Sequence, residues 1–199
     1  MRRVETCLVA GSVLWALAAG SAAAQFNQSY STDIDLDACT VVQSDDFGST
    51  WACNGHKGIP VMIAEGERRM RVSYGLTSTV EPAAKQTLPP FNRLGDSIEW
   101  RLSNAAGGYK PFATILRYIV QRTDPDSGAA LPDGEVLVVT RIEPGATCQV
   151  AWVDALANAD ATDLALQAAD EIAPGFDCEE APRVIGTFEA WALQQDGAD

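Results

Sequence analysis

The sequence predicts an α+β fold, with a mainly antiparallel β-sheet, one helix in the C-terminal half and two local disulfides. Three observations lead to this prediction. Short runs of β-branched and aromatic residues alternate with turn signals. One later segment places alanine, leucine and isoleucine at helical spacing. Four cysteines remain once an N-terminal leader is set aside, an even number that fits a disulfide framework.

Six segments have the composition and length of β-strands. The predicted strands are residues 60–64, 70–74, 98–102, 113–121, 136–142 and 149–153. Gly66 separates the first two, and a turn-rich connector at 124–134 separates the fourth from the fifth. This pattern predicts hairpins within a sheet of about five to eight strands. The proline-containing stretch 75–95 is predicted to form one long loop, and loops of that length are often functional.

One helix is predicted after the last of these strands. Asp160 is placed to cap its N-terminus. Apolar residues then fall on one face, at Ala161, Leu164, Ala165, Ala168 and Ile172. Pro174 and Gly175 end the pattern. The segment 184–193 fits either a last strand or a short helix, and the sequence leaves both open.

The first 24 residues have the pattern of a cleavable signal peptide. Arg2 and Arg3 precede an apolar run at 7–20, and Ala22 and Ala24 supply the small residues before a cut at Gln25. That run is too short to span a bilayer as a stable helix, so a signal peptide is favoured over a membrane anchor. The sequence thus predicts a single soluble α+β domain at 25–199 that is periplasmic or secreted, with no membrane insertion after cleavage.

The remaining cysteines are Cys39, Cys53, Cys148 and Cys178. Three pairings are possible, and we favour Cys39–Cys53 with Cys148–Cys178 because each closes a local loop. A zinc site is the alternative, but no two cysteines have the C-x₂₋₄-C spacing of zinc ligands and the chain has a single histidine, His56. We therefore expect disulfides and predict neither a metal nor a cofactor.

The charge of the chain is acidic overall but unevenly spread. The leader holds two of the 14 basic and one of the 27 acidic residues, so 12 basic and 26 acidic residues remain, a net charge of −14. Such a chain repels nucleic acid. Residues 57–122, by contrast, hold ten basic and five acidic residues. This basic segment either binds an acidic or anionic envelope partner or pairs with the acidic ends inside the fold.

Within the basic segment, Arg68, Arg69 and Arg71 form the densest cluster, and Phe91 is the best candidate for an exposed aromatic residue in the long loop. Guanidinium groups suit carboxylate or phosphate ligands. These four residues are the predicted binding site. The alternative is that the arginines pair with Glu65, Glu67 or the acidic C-terminal part.

Other patterns that carry chemistry are weaker. His56 lies in a turn-like segment and is expected at the surface, and no nucleophile motif of the G-x-S-x-G type occurs. Asp33, Asp35 and Asp37 resemble the start of a calcium loop, but Ala38 replaces the required glycine. On a strand these carboxylates would share one solvated face. No particular carboxylate pair stands out as catalytic.

Several motifs resemble uncharacterised exported proteins of alphaproteobacteria. They are W-x-C-x-G at 51–55, G-x-P-V-M at 58–62, V-S-Y-G at 72–75, and the segments 87–92, 99–102, 144–148 and 154–158. The resemblance covers most of the chain after the leader. It implies an exported address and implies no activity.

The sequence therefore predicts an exported, disulfide-stabilised binding or accessory protein of the bacterial envelope. Two alternatives remain open, a small periplasmic hydrolase that uses carboxylates and, less favoured, a calcium-binding protein. Catalysis is left undecided, with a non-enzymatic role preferred.

Overall fold

The computed structural model describes residues 27–189 except Ala106 and Pro125. The predicted signal peptide and the end of the segment 184–193 lie outside the described residues. The strands are β1 (Asn27–Asp33), β2 (Thr40–Asp45), β3 (Gly48–Asn54), β4 (Pro60–Gly66), β5 (Arg69–Tyr74), β6 (Asn92–Ser103), β7 (Lys110–Thr123), β8 (Ala130–Arg141), β9 (Cys148–Asp154) and β10 (Arg183–Ile185). The α-helix, α1, spans Ala161–Glu171.

The strands form two sheets. The six-stranded sheet has the order β1-β6-β7-β8-β9-β10, and the four-stranded sheet has the order β2-β3-β4-β5. Neighbouring strands are antiparallel throughout, apart from the parallel pair β9 and β10. The predicted class, a mainly antiparallel β-structure with one helix in the C-terminal half, is confirmed.

All six predicted strands are present, but the strand count was too low. Strands β1 to β3 were not recognised because their residues are mostly polar and half-buried or exposed. The long loop is also shorter than predicted, since β6 already begins at Asn92 and a 3₁₀ helix forms at Pro82–Lys85. In the connector, Pro132 and Asp133 belong to β8 rather than to the turn. The segment 184–193 contributes the end of β10.

One apolar core fills the space between the two sheets. Tyr74 of β5 packs edge-on against Trp100 of β6, with ring centroids 5.5 Å apart, and both are fully buried. Around them lie aliphatic residues from β4 to β8. Burial of such side chains stabilises a fold by roughly 1.5–3 kcal/mol each. This core fixes the position of β5 against β6.

A second core lies on the opposite face of the six-stranded sheet, beneath α1. Four alanines of the helix are buried there: Ala161, Ala165, Ala168 and Ala169. Their small side chains let the helix lie close to Val139 and Val153 of the sheet. Because this sheet is covered on both faces, residues 136–140 of β8 are all buried, which explains their continuous apolar run. The predicted helix face is correct, although the Asp160 side chain makes no capping hydrogen bond.

Both predicted disulfides are present. Cys39 pairs with Cys53 across 14 residues, and Cys148 pairs with Cys178 across 30 residues. The second bond ties the segment after α1 to the start of β9, as the sequence indicated. Loops of this size are stabilised by about 3–4 kcal/mol in the chain-entropy model. Two disulfides are typical of proteins that fold in an oxidising, extracytoplasmic compartment.

Within the described part of the chain, no helix is long and apolar enough to cross a membrane.

Candidate functional site

The turn between β4 and β5 consists of two residues, Glu67 and Arg68. Both have left-handed backbone conformations, with φ of 55° and 59°. Tight hairpins need this geometry because it matches the twist of the strands, and asparagine and glycine usually supply it. A side chain in this region costs about 1–2 kcal/mol per residue. The backbone N–H of Arg68 donates to Glu65 Oε1 at 3.0 Å, which helps hold the turn.

The turn and the first residue of β5 place two guanidinium groups over one aromatic ring. The Cζ atoms of Arg68 and Arg69 lie 4.3 Å and 4.9 Å from the centroid of Phe91, within the range of cation–π attraction. Arg68 Nη2 also donates to Gln121 Oε1 at 2.6 Å, and Arg69 Nε donates to the carbonyl of Pro89 at 2.6 Å. Three of the four predicted site residues therefore meet.

The loop that carries Phe91 is fixed to the outer edge of β5. Asn92 Oδ1 accepts a hydrogen bond from Met70 N at 3.0 Å, and its Nδ2 donates to the Pro90 carbonyl at 2.8 Å. Thr87 Oγ1 donates to the Met70 carbonyl at 2.6 Å. Side chains thus satisfy backbone groups that an edge strand would otherwise expose. We refer to Arg68, Arg69 and Phe91 as the arginine–phenylalanine site.

A cavity of about 420 Å³ lies beside this site, where the β4–β5 turn meets the start of β6 and the β7–β8 hairpin. Its size falls in the range of small-molecule sites. Apolar and charged side chains share the lining: Glu65, Arg68, Met70, Phe91, Asn92, Arg93, Ile119, Gln121, Arg122, Ala130, Leu131 and Asp133.

Four of the ten basic residues in the basic segment form ion pairs within the protein with acids from later in the chain, and most of these pairs are exposed to solvent. The pairs are Arg93 with Asp133, Arg101 with Asp170, Arg117 with Glu135 and Arg122 with Glu189. Internal pairing, the alternative to a basic docking surface, therefore accounts for these four. Arg69 lies 3.8 Å from the carboxylate of its neighbour Glu67. Among the described residues, Arg68 and Arg71 form no ion pair.

Arg71 is separate from the other predicted site residues. In the register of the sheet it lies opposite Ala64, and it does not line the cavity. Conversely, Gln121, Arg122 and Asp133 were not predicted as site residues. They come from β7 and β8, and no local motif indicated that they would approach residue 68.

The expected surface position of His56 is wrong. Only 6% of the residue is exposed, because Tyr30 packs against its ring at 4.6 Å and Trp100 lies beyond it at 6.2 Å. Neither ring nitrogen has a hydrogen-bond partner in the described structure. Burial, aided by the charge of Lys57, lowers the pKa of His56. A lone buried imidazole without an oriented partner does not form a catalytic pair.

The aspartates considered for calcium do not converge. Asp33 ends β1, and Asp35 Oδ1 instead accepts a hydrogen bond from Asp37 N at 3.1 Å, capping a 3₁₀ helix at Leu36–Ala38. All three residues are exposed. No strand runs through all three aspartates, because β1 ends at Asp33. In the described residues no group of three or more histidine, cysteine or acidic side chains could hold a metal ion.

The carboxyl groups whose pKa values are shifted do not resemble a general acid. Glu81 is buried, and burial alone would raise its pKa. Hydrogen bonds from Thr77, Gly145 and Thr147 outweigh that effect and lower the pKa instead. Hydrogen bonds within local turns lower the pKa values of Asp45 and Asp124. A general acid needs a raised pKa, and the pKa of each of these carboxyl groups is lowered, so they give no support to a hydrolase.

The chain matches no protein-family model, no curated protein and no solved structure.

Proposed function

We propose that this is an exported binding protein that holds an anionic group of an envelope partner at the arginine–phenylalanine site. The main support for the proposal is the environment of the Arg68 guanidinium. This group is held over Phe91, is exposed beside a cavity of about 420 Å³, and has no carboxylate partner among the described residues. A positioned guanidinium of this kind suits a carboxylate, sulfonate or phosphate.

The local backbone supports the same conclusion. A turn of asparagine and glycine would adopt the left-handed geometry at lower cost than Glu67 and Arg68 do. Strained backbone conformations tend to cluster at functional sites, where they position a side chain. Here the left-handed turn places the Arg68 side chain at the cavity, between Phe91 and Gln121.

The disulfides support an exported location. Cys39–Cys53 and Cys148–Cys178 need an oxidising compartment to form and persist. Together with the predicted signal peptide at 1–24, they favour the bacterial periplasm or the medium.

Binding of the anionic fluorophore anilinonaphthalene sulfonate to the purified, oxidised protein tests the proposal. We expect Arg68→Gln to weaken binding at least tenfold, since a charge-assisted hydrogen bond contributes about 1.5–3 kcal/mol. Arg183→Gln is the matched control, because it removes the same charge at an exposed arginine that does not line the cavity. Equal affinity in wild type, Arg68→Gln and Arg183→Gln would overturn the proposal.

A further inference from the structure

We propose that the cavity takes a small ligand with a single carboxylate and an apolar body, and that it discriminates against dianionic phosphates. This inference rests on the proposed function and specifies the ligand class of the same site. Three features of the cavity lining support this inference: its balance of charge, its apolar surface and the placement of its hydrogen-bond donors.

The residues that line the cavity carry a net charge of +1, because three arginines face two carboxylates, Glu65 and Asp133. Arg93 is engaged by Asp133 at 3.4 Å, and Arg122 is engaged by Glu189 at 3.6 Å. Arg68 is the one lining arginine without an ion pair in the described structure. A monoanion would be balanced by Arg68, whereas a dianion would bring a surplus charge into a cavity that already holds two carboxylates.

Those two carboxylates belong to Glu65 and Asp133, both of which line the cavity. Glu65 is fixed close to the arginine that would bind the ligand, because its Oε1 accepts the backbone N–H of Arg68 at 3.0 Å. Repulsion from a fixed carboxylate grows with the charge of the ligand. It therefore penalises a phosphate dianion more than a carboxylate.

The remaining lining is apolar. Met70, Phe91, Ile119 and Leu131 contribute hydrocarbon surface, and Leu131 is 38% exposed. Covering such surface is favourable because it removes apolar area from water. A bare inorganic anion would not use it, so the ligand should carry an aromatic or aliphatic group.

The donors at the site match the two oxygens of a carboxylate. Arg68 uses Nη2 to hold Gln121 Oε1 at 2.6 Å, which leaves Nε and Nη1 available. The same hydrogen bond directs the Gln121 amide so that its Nε2 can donate to a second oxygen. A guanidinium beside an amide N–H provides donors for both oxygens of one planar carboxylate.

Calorimetric titration at pH 7.5 with four compounds tests the inference: phenylacetate, acetate, phenyl phosphate and inorganic phosphate. We expect phenylacetate to bind at least tenfold more tightly than acetate and at least fivefold more tightly than phenyl phosphate. Arg68→Gln should weaken phenylacetate binding at least tenfold, and Arg183→Gln should leave it unchanged. Glu65→Gln should reduce the preference for phenylacetate over phenyl phosphate, because it removes a carboxylate and keeps the hydrogen-bond acceptor.

Each contrary result has a distinct meaning. If phenyl phosphate binds as tightly as phenylacetate, and Arg68→Gln weakens both, the monoanion preference is wrong and the proposed function stands. If acetate binds as well as phenylacetate, the apolar requirement is wrong. If no compound binds in a way that depends on Arg68, this inference and the proposed function fail together.

Discussion

The guanidinium carbon of Arg68 lies 4.3 Å from the centroid of the Phe91 ring, although the two residues are 23 positions apart and belong to different elements. A strained hairpin turn positions the arginine, and a loop fixed to β5 positions the ring.

Glycine at either position of the β4–β5 turn should relieve backbone strain, but only one of the two substitutions should remove binding. We expect Glu67→Gly to raise the free energy of unfolding by about 0.5–1 kcal/mol and to leave anion binding intact. Arg68→Gly should gain less stability, since it loses the contacts with Phe91 and Gln121, and should lose binding. Urea denaturation and fluorophore titration of both variants check this. Loss of binding in Glu67→Gly would contradict it.

Phe91 should act by holding the arginines. We expect Phe91→Ala to weaken binding of the anionic fluorophore about twofold to fivefold, because a cation–π contact contributes about 0.5–1 kcal/mol at an exposed site. Phe91→Tyr preserves the ring and should keep nearly wild-type affinity. Equal affinities for the alanine and tyrosine variants would show that the ring does not position Arg68.

Asn92 should make the main hydrogen bonds that hold the Phe91 loop against β5. Replacing it with alanine leaves Met70 N–H without its partner and removes the donor to the Pro90 carbonyl. We expect Asn92→Ala to lower the free energy of unfolding by about 2–3 kcal/mol, measured by denaturant titration. Gln167→Ala, on the exposed face of α1, should change it by less than about 0.5 kcal/mol. Similar small effects in both would refute the assigned role.

Acid should destabilise the fold through His56, the only histidine in the chain. Burial lowers its pKa in the folded state, so the unfolded chain binds a proton more readily. The stability linked to neutral His56 is present above the unfolded pKa of about 6.5 and is lost as the pH falls below it. We expect the free energy of unfolding to drop between pH 7.5 and 5.5.

His56→Leu should reduce this pH dependence, because it removes the group that titrates in that range. Carboxylates such as Glu81 titrate at lower pH and are the same in both proteins. Thermal melts of wild type and His56→Leu at pH 7.5 and 5.5 make the comparison. An unchanged difference between the two pH values in the variant would contradict the assignment to His56.

The fold was predictable where burial dictates composition. Strand β8 carries a continuous apolar run because both faces of its sheet are covered, and the alanines of α1 recur at helical spacing because one face meets that sheet. Strands β1 and β2 lie at sheet edges with mostly exposed side chains, so their sequences lack an apolar pattern. Pairing with β6 and β3, rather than local propensity, makes them strands.

For the arginine–phenylalanine site, the sequence predicted which residue types take part but not which of them come together. Clustered arginines and a loop aromatic indicated an anion site, but nothing in the spacing showed that Arg68 would meet Phe91 while Arg71 would not. That outcome depends on Asn92, whose hydrogen bonds dock the loop on β5. The burial of His56 was missed for a similar reason, since Tyr30 of β1 covers it from a strand that was not predicted.

Anion binding in the cavity beside Arg68 is tested most directly by an NMR titration of the ¹⁵N-labelled protein with phenylacetate, with the arginine side-chain Nε–H signals resolved. We expect saturable shifts centred on Arg68 and Gln121 and extending to Leu131, with little change at Arg183. Shifts that are absent, or that are spread over the surface without a maximum at Arg68, would contradict the assignment of this cavity as an anion-binding site.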